Sequence, residues 1–140
     1  MEVIQNCWSS IETYNCQYGA HVFDGTTAKI YVHHWLDVES SLRERFSKIN
    51  DDGFVGHCLL VFLGVKEFNV EITTCIKHGD EIERDKPVSF SYSGSPIGNT
   101  THFCFEGSLQ GFPSSVSFSI EAQGFELHIL DRDEPVKNAG

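Results

Sequence analysis

The chain of 140 residues has no apolar run that could cross a membrane. Its longest, Cys58 to Leu63, falls far short of the roughly 20 residues a spanning helix needs. The opening Met1-Glu2-Val3-Ile4-Gln5-Asn6 has no basic segment and no apolar stretch, so no secretory signal is read there. Positive charge is scarce: 10 Lys and Arg stand against 20 Asp and Glu, a formal charge of -10. Such a surface repels a phosphate backbone, which argues against direct nucleic-acid binding; it either favours a basic partner or serves only to keep a small protein soluble. Catalytic signatures are missing too. There is no glycine-flanked serine elbow, no P-loop, no dinucleotide glycine pattern and no calcium loop. Gly94-Ser95-Pro96-Ile97-Gly98 reads as a turn, not a phosphate cradle. Five cysteines, Cys7, Cys16, Cys58, Cys75 and Cys104, are odd in number and widely spaced, unlike a secreted disulfide framework. A reducing cytoplasm is the expected home.

What is present is two-residue alternation. Phe68, Val70, Ile72 and Ile76 alternate with Glu67, Asn69, Glu71 and Thr73. Val88, Phe90 and Tyr92 alternate with serines; Phe103 and Phe105 alternate with His102, Cys104 and Glu106. The same holds for Val116, Phe118 and Ile120, and for Phe125, Leu127 and Ile129. These segments read as antiparallel strands with one buried and one wet face. Residues 28–34 form another expected strand after the turn chemistry of Asp24-Gly25-Thr26. A short connection through Glu121-Ala122-Gln123-Gly124 predicts a hairpin pairing Ile120 with Phe125, Phe118 with Leu127 and Val116 with Ile129.

The run Cys58 to Leu63 does not alternate, which suggests a central strand covered on both faces. A helix is the natural cover. Val38, Leu42, Phe46 and Ile49 share one helical stripe, with Asp37 placed to cap its start and Gly53 just past its end. Glu39–Arg43 and Glu44–Lys48 add i,i+4 pairs of about 0.3 kcal/mol each. Residues 77–86 and 93–99 read as loops, and 131–140 as a frayed polar tail. The expected fold is α+β, mainly β: an antiparallel sheet of about six to eight strands with one amphipathic helix packed on it, in a single domain over 1–140.

Seven histidines raise the question of metal. His102-x-Cys104 sits on one strand face, and His128 could join it from a neighbour, yet no tight ligand motif accompanies them. No metal and no other cofactor is expected. Cys58 and Cys75 suit small core positions, and Asp51-Asp52 and Asp80-Glu81 suit solvated turns. Trp8, Tyr14, Tyr18, Phe23, Tyr31 and Trp35 are dense in the first third, which fits either a second-layer core or the aromatic centre of a binding patch.

The run His57-Cys58-Leu59-Leu60-Val61-Phe62-Leu63-Gly64-Val65-Lys66-Glu67-Phe68, followed by alternating strands to Ile129, resembles small immunity proteins of bacterial polymorphic-toxin systems, such as contact-dependent inhibition and type VI systems. His21-Val22-Phe23-Asp24-Gly25 before a strand has a similar pattern. The resemblance covers the larger part of the chain and rests on pattern, not on an invariant motif, so it transfers no binding residue. It implies a cytoplasmic protein that binds and blocks a cognate toxin domain, often a basic nuclease. From side-chain direction alone, the expected partner contacts are Glu67, Glu71, Glu106, Glu121, Glu126 and His128. No catalytic residue is expected. Two other readings stay open: a small-molecule-binding β-domain, and a small metal-dependent enzyme using the histidines.

Overall fold

The computed structural model describes residues 1–111 and 113–136. The strands are β1 (Glu2–Gln5), β2 (Ile11–Glu12), β3 (Cys16–Phe23), β4 (Ala28–His34), β5 (Asp37–Val38), β6 (Lys48–Ile49) and β7 (Val55–Gly56). They continue with β8 (Cys58–His78), β9 (Glu81–Arg84), β10 (Val88–Ser93), β11 (Thr101–Leu109) and β12 (Ser114–Ile129). A 3-10 turn, Trp8–Ser10, and one helix, α1 (Ser40–Arg43), complete the elements.

The two long strands organise the rest. One edge of β8 pairs with β12 from Cys58↔Ile129 to Thr74↔Ser114. Its other edge takes β4 over Cys58–Phe62 and β10 over Glu67–Ile72. The second edge of β12 takes β11 and then β1. β3 pairs with β4 and, through Cys16–Tyr18, with Gly107–Leu109 of β11. The last pairing closes a circuit β8–β4–β3–β11–β12 within the eight-stranded sheet. That pairing is parallel, so the sheet is mixed, where alternation alone suggested an antiparallel one.

Inside the circuit lies one core built from the apolar side of each strand, with Tyr18, Ile30, Val32, Leu60, Phe62, Phe68, Ile120 and Leu127 essentially inaccessible. Trp8 enters from the 3-10 turn, its ring centroid 5.0 Å from Phe125 and 5.2 Å from Phe103. Phe62 stacks on Phe105 at 5.7 Å, so aromatic rings occupy the interior. Of the dense early aromatics Tyr18 is core and Trp8 and Phe23 pack against it, Tyr31 lies on the outer face, and Tyr14 and Trp35 stay exposed.

Four expectations need correction. The helix is one turn, Ser40–Arg43, and not the amphipathic cover expected over residues 38–49. Val38, Leu42 and Phe46 are buried as their stripe implied, but Val38 pairs with Ile11 and Ile49 is exposed. A helix so short lies below the length at which propagation offsets nucleation. The turn Asn50–Gly53 wins locally, because Asn50 Oδ1 accepts from Asp52 N and Phe54 N (both 3.0 Å) and sets the β6–β7 pair.

The hairpin at 121–124 is also absent. β12 runs straight through, so Ile120 pairs with Phe68 and Phe125 with Phe62 on β8. A bulge between Glu121 and Ala122 and the left-handed Gly64 (φ +60°) opposite Gln123 shift the alternation by one residue. The bulge thus keeps Ile120 and Phe125 on the same buried side, the very requirement that a turn would have met.

Residues 77–86 are not all loop: β9 pairs with the end of β8 across Gly79-Asp80, forming an exposed arm. Finally, the outer face of Leu59 and Val61 is covered by Leu130, Val136 and Tyr31 instead of a helix. Residues 131–136 of the expected tail are tied down by the Met1 amine, 3.0 Å from Asp131 and 3.3 Å from Glu134. His57 Nε2 lies 2.9 Å from Asp131 O, with its Nδ1 2.8 Å from Tyr31 Oη. Residues 137–140 lie outside the described residues.

Candidate functional site

Strand register sorts the outward side chains of β11, β12, β8 and β10 into rows. His102, Glu121, Glu67 and Ser93 make one row; Cys104, Ser119, Asn69 and Ser91 make the next. Glu106, Ser117, Glu71 and Ser89 follow, and then Ser108, Ser115 and Thr73. Period-two alternation turns these residues out because their neighbours Phe103, Phe105, Phe118, Ile120, Phe68 and Val70 fill the core. The face is polar, serine-rich and acidic, and its rows hold neither Lys nor Arg.

Glu67 and Glu121 are direct cross-strand partners, an arrangement of like charges that destabilises a sheet pair. Glu71 and Glu106 flank Ser117. Among the described residues none of these four carboxylates is in an ion pair. A groove of about 540 Å³ is lined by Glu71, Glu106, Tyr14, Ser115 and Ser117 and by Arg84 from the β9 arm. Alternation gave no sign of Arg84, but Gly79-Asp80 between Ile76 and Ile82 is a two-residue hairpin signal that would have placed it.

The structure thus gathers Glu67, Glu71, Glu106 and Glu121, and places Glu126 and His128 elsewhere. Those two lie beyond the bulge, beside β1 and the covering segment. Glu126 Oε1 is 3.1 Å from His128 Nε2 and Oε2 accepts from Gln5 Nε2 at 3.3 Å. The hydrogen bond from His128 holds the Glu126 carboxyl below the usual carboxylate range. This carboxylate is already engaged.

His102 Nε2 lies 2.6 Å from Ser119 Oγ and 3.3 Å from Cys104 Sγ on the exposed face. His128 is seven positions further along β12 than Glu121, the partner of His102, so the three do not converge. Among the described residues no group of three or more His, Cys, Asp or Glu could hold a metal ion. No helix among them is long and apolar enough to cross a membrane.

No family model, curated protein or solved structure matches this chain.

Proposed function

We propose that the chain is a protein-binding module that takes a basic partner on its polar sheet face and neutralises it. In this reading it acts in the cytoplasm as an immunity protein, occluding a cognate toxin domain such as a nuclease. The supporting observation is the row that sets Glu67 opposite Glu121, with Glu71 and Glu106 either side of Ser117 two rows away and no cation in the rows to offset them. Such a row costs the isolated fold and becomes favourable when a partner supplies Lys or Arg. A formal charge of -10 would steer that partner in and speed encounter. Five unbridged cysteines suit a reducing compartment.

The test compares the natural chain with the double reversal Glu67→Lys/Glu121→Lys as bait in source-cell lysate, at low and moderate salt. A basic protein should bind the natural chain stoichiometrically, lose its activity on binding, and be released by salt. The reversed bait should capture it at least about tenfold more slowly while melting at a similar temperature. Equal capture by both baits, or capture of nothing basic by the natural chain, refutes the reading.

A further inference from the structure

β10 ends the sheet, and no described strand pairs with its outer edge. Gly94 N donates to Lys66 O at 3.0 Å, one step past the Ser93–Glu67 pair. On the other side of β8, Cys75 N donates to Pro113 O at 2.9 Å, so odd-numbered residues of β8 bond towards β12 and even-numbered ones towards β10. In an antiparallel ladder this directs the backbone groups of Val88, Phe90 and Tyr92 into β8 and those of Ser89, Ser91 and Ser93 outward. Exposed edges of this kind are usually blunted by a charge or a proline within the strand, and Val88–Ser93 contains neither. On the core side, Val88 is 56% exposed and Phe90 42% exposed, since the sheet stops there.

We infer that β10 is the docking edge for the basic partner: the partner adds an extended strand whose residues alternate basic and apolar. This rests on the function proposed above and specifies how the acidic face is read. A strand added to β10 lies about 10 Å from the β8 backbone. Its outward side chains must then cross only Ser89, Ser91 and Ser93 to reach Glu71 and Glu67 in the same rows. A hollow of about 240 Å³ lined by Asn69, Glu71, Ser89, Ser91, Ser117 and Ser119 leaves room for long Lys or Arg stems. The intervening apolar side chains of the added strand would cover Phe90 and Val88. Main-chain hydrogen bonds supply affinity in this mode and alternate side chains supply selectivity.

The probe is a short synthetic peptide in which lysine alternates with valine, compared with an isomer carrying the lysines in one block and the valines in another. With the full chain at low salt, the alternating peptide should bind at least about tenfold more tightly. It should also slow amide exchange of Ser89, Ser91 and Ser93 while leaving Val88, Phe90 and Tyr92 unchanged. Equal affinity for the two peptides, no binding of the alternating one, or unaltered exchange at the three serines overturns strand addition. Ser91→Pro removes an outward N–H that the β8 ladder does not use, so it should abolish capture of the protein partner. If that partner is indifferent to Ser91→Pro but lost by Glu67→Lys/Glu121→Lys, the docking edge is refuted and the basic-partner reading stands. If neither bait loses it, the reading itself fails. A chain that dimerises alone with the three serine amides already protected assigns the edge to a second copy, which also overturns the inference.

Discussion

Substituting Gly64 tests the straight passage of β8 and β12 through the bulge. Gly64 sits at φ +60°, and a Cβ built there would collide with Gln123 Oε1 across the ladder. A left-handed conformation costs an L-residue roughly 1–2 kcal/mol, partly offset by the roughly 0.4–1 kcal/mol gained when alanine restricts the unfolded chain, leaving about 1 kcal/mol. The Gln123 side chain must also move, giving up the hydrogen bond that its Nε2 donates to Ile97 O. That bond contributes about 0.5–1 kcal/mol at an exposed site. Gly64→Ala should therefore destabilise by about 2 kcal/mol, but by only about 1 kcal/mol in a Gln123→Ala background. Gly64→Asn should fall between wild type and Gly64→Ala, because asparagine tolerates this conformation. Equilibrium urea unfolding of the single and double variants reads these differences directly. A penalty for Gly64→Ala below about 0.5 kcal/mol, or one unchanged by Gln123→Ala, would refute the facing of the two residues. The hairpin alternative separates them and predicts no coupling.

Three further outcomes follow from the packing. His21 sits among Phe68, Phe90, Tyr92 and Phe118, and burial lowers its pKa below 6.5. The unfolded chain then binds the proton more readily, so stability is full above pH 6.5 and falls as pH drops below it. Melting temperature against pH should show this slope, and His21→Phe should reduce it without abolishing it, because His33 and His34 are shifted in the same direction. In native protein, a thiol reagent should label the exposed Cys104 first, with Cys7, Cys16 and Cys58 silent until unfolding. Burial pushes the Cys16 thiol up to about 12 and raises Cys7 and Cys58 as well; rapid labelling of any of the three by mass spectrometry would contradict the buried arrangement. Tyr31→Phe removes the 2.8 Å bond to His57 Nδ1 and should cost about 1 kcal/mol while speeding amide exchange at Leu130, whose N–H bonds to His57 O; unchanged exchange would show that this pair does not hold the covering segment.

Alternation made β4, β8, β10, β11 and β12 legible: residues 28–34, 67–72, 102–106 and 116–120 each have one side packed in the core, while 88–93 keeps the pattern with only Tyr92 packed against it. It failed where two geometries satisfy the same pattern. Ile120 and Phe125 need a common face, and a glycine nearby fits a turn and a bulge equally well; only the long-range pairing with Phe68 and Phe62 decides between them. The stripe Val38, Leu42, Phe46 marked real burial, yet one helical turn held by the Val38–Ile11 bridge suffices to achieve it. Polar composition hid β9, whose four residues are all exposed. For the site, the outward direction of Glu67, Glu71, Glu106 and Glu121 could be read from each strand alone. Their assembly into rows could not, since it depends on the register of β12 against both its neighbour β11 and the sequence-distant β8.

The make-up of those rows also bears on what the face is for. Solubility needs charge, but charges of both signs serve it, and an opposite-charge pair across strands would stabilise the sheet by roughly 0.2–1 kcal/mol. The chain places its cations elsewhere: Arg45 bonds Glu2 at 2.8 Å, and Lys48 donates to His33 O at 2.8 Å. Arg84 lines the same groove but forms no ion pair with Glu71 or Glu106. Between the carboxylates stand serines and one asparagine, side chains that neither neutralise them nor fill the space above the sheet. Acidic side chains alone would also serve solubility, but this face gives up the cross-strand pairs that Lys or Arg at the serine positions would make. The arrangement becomes favourable when cations arrive from outside, and the serine rows leave their stems room to lie.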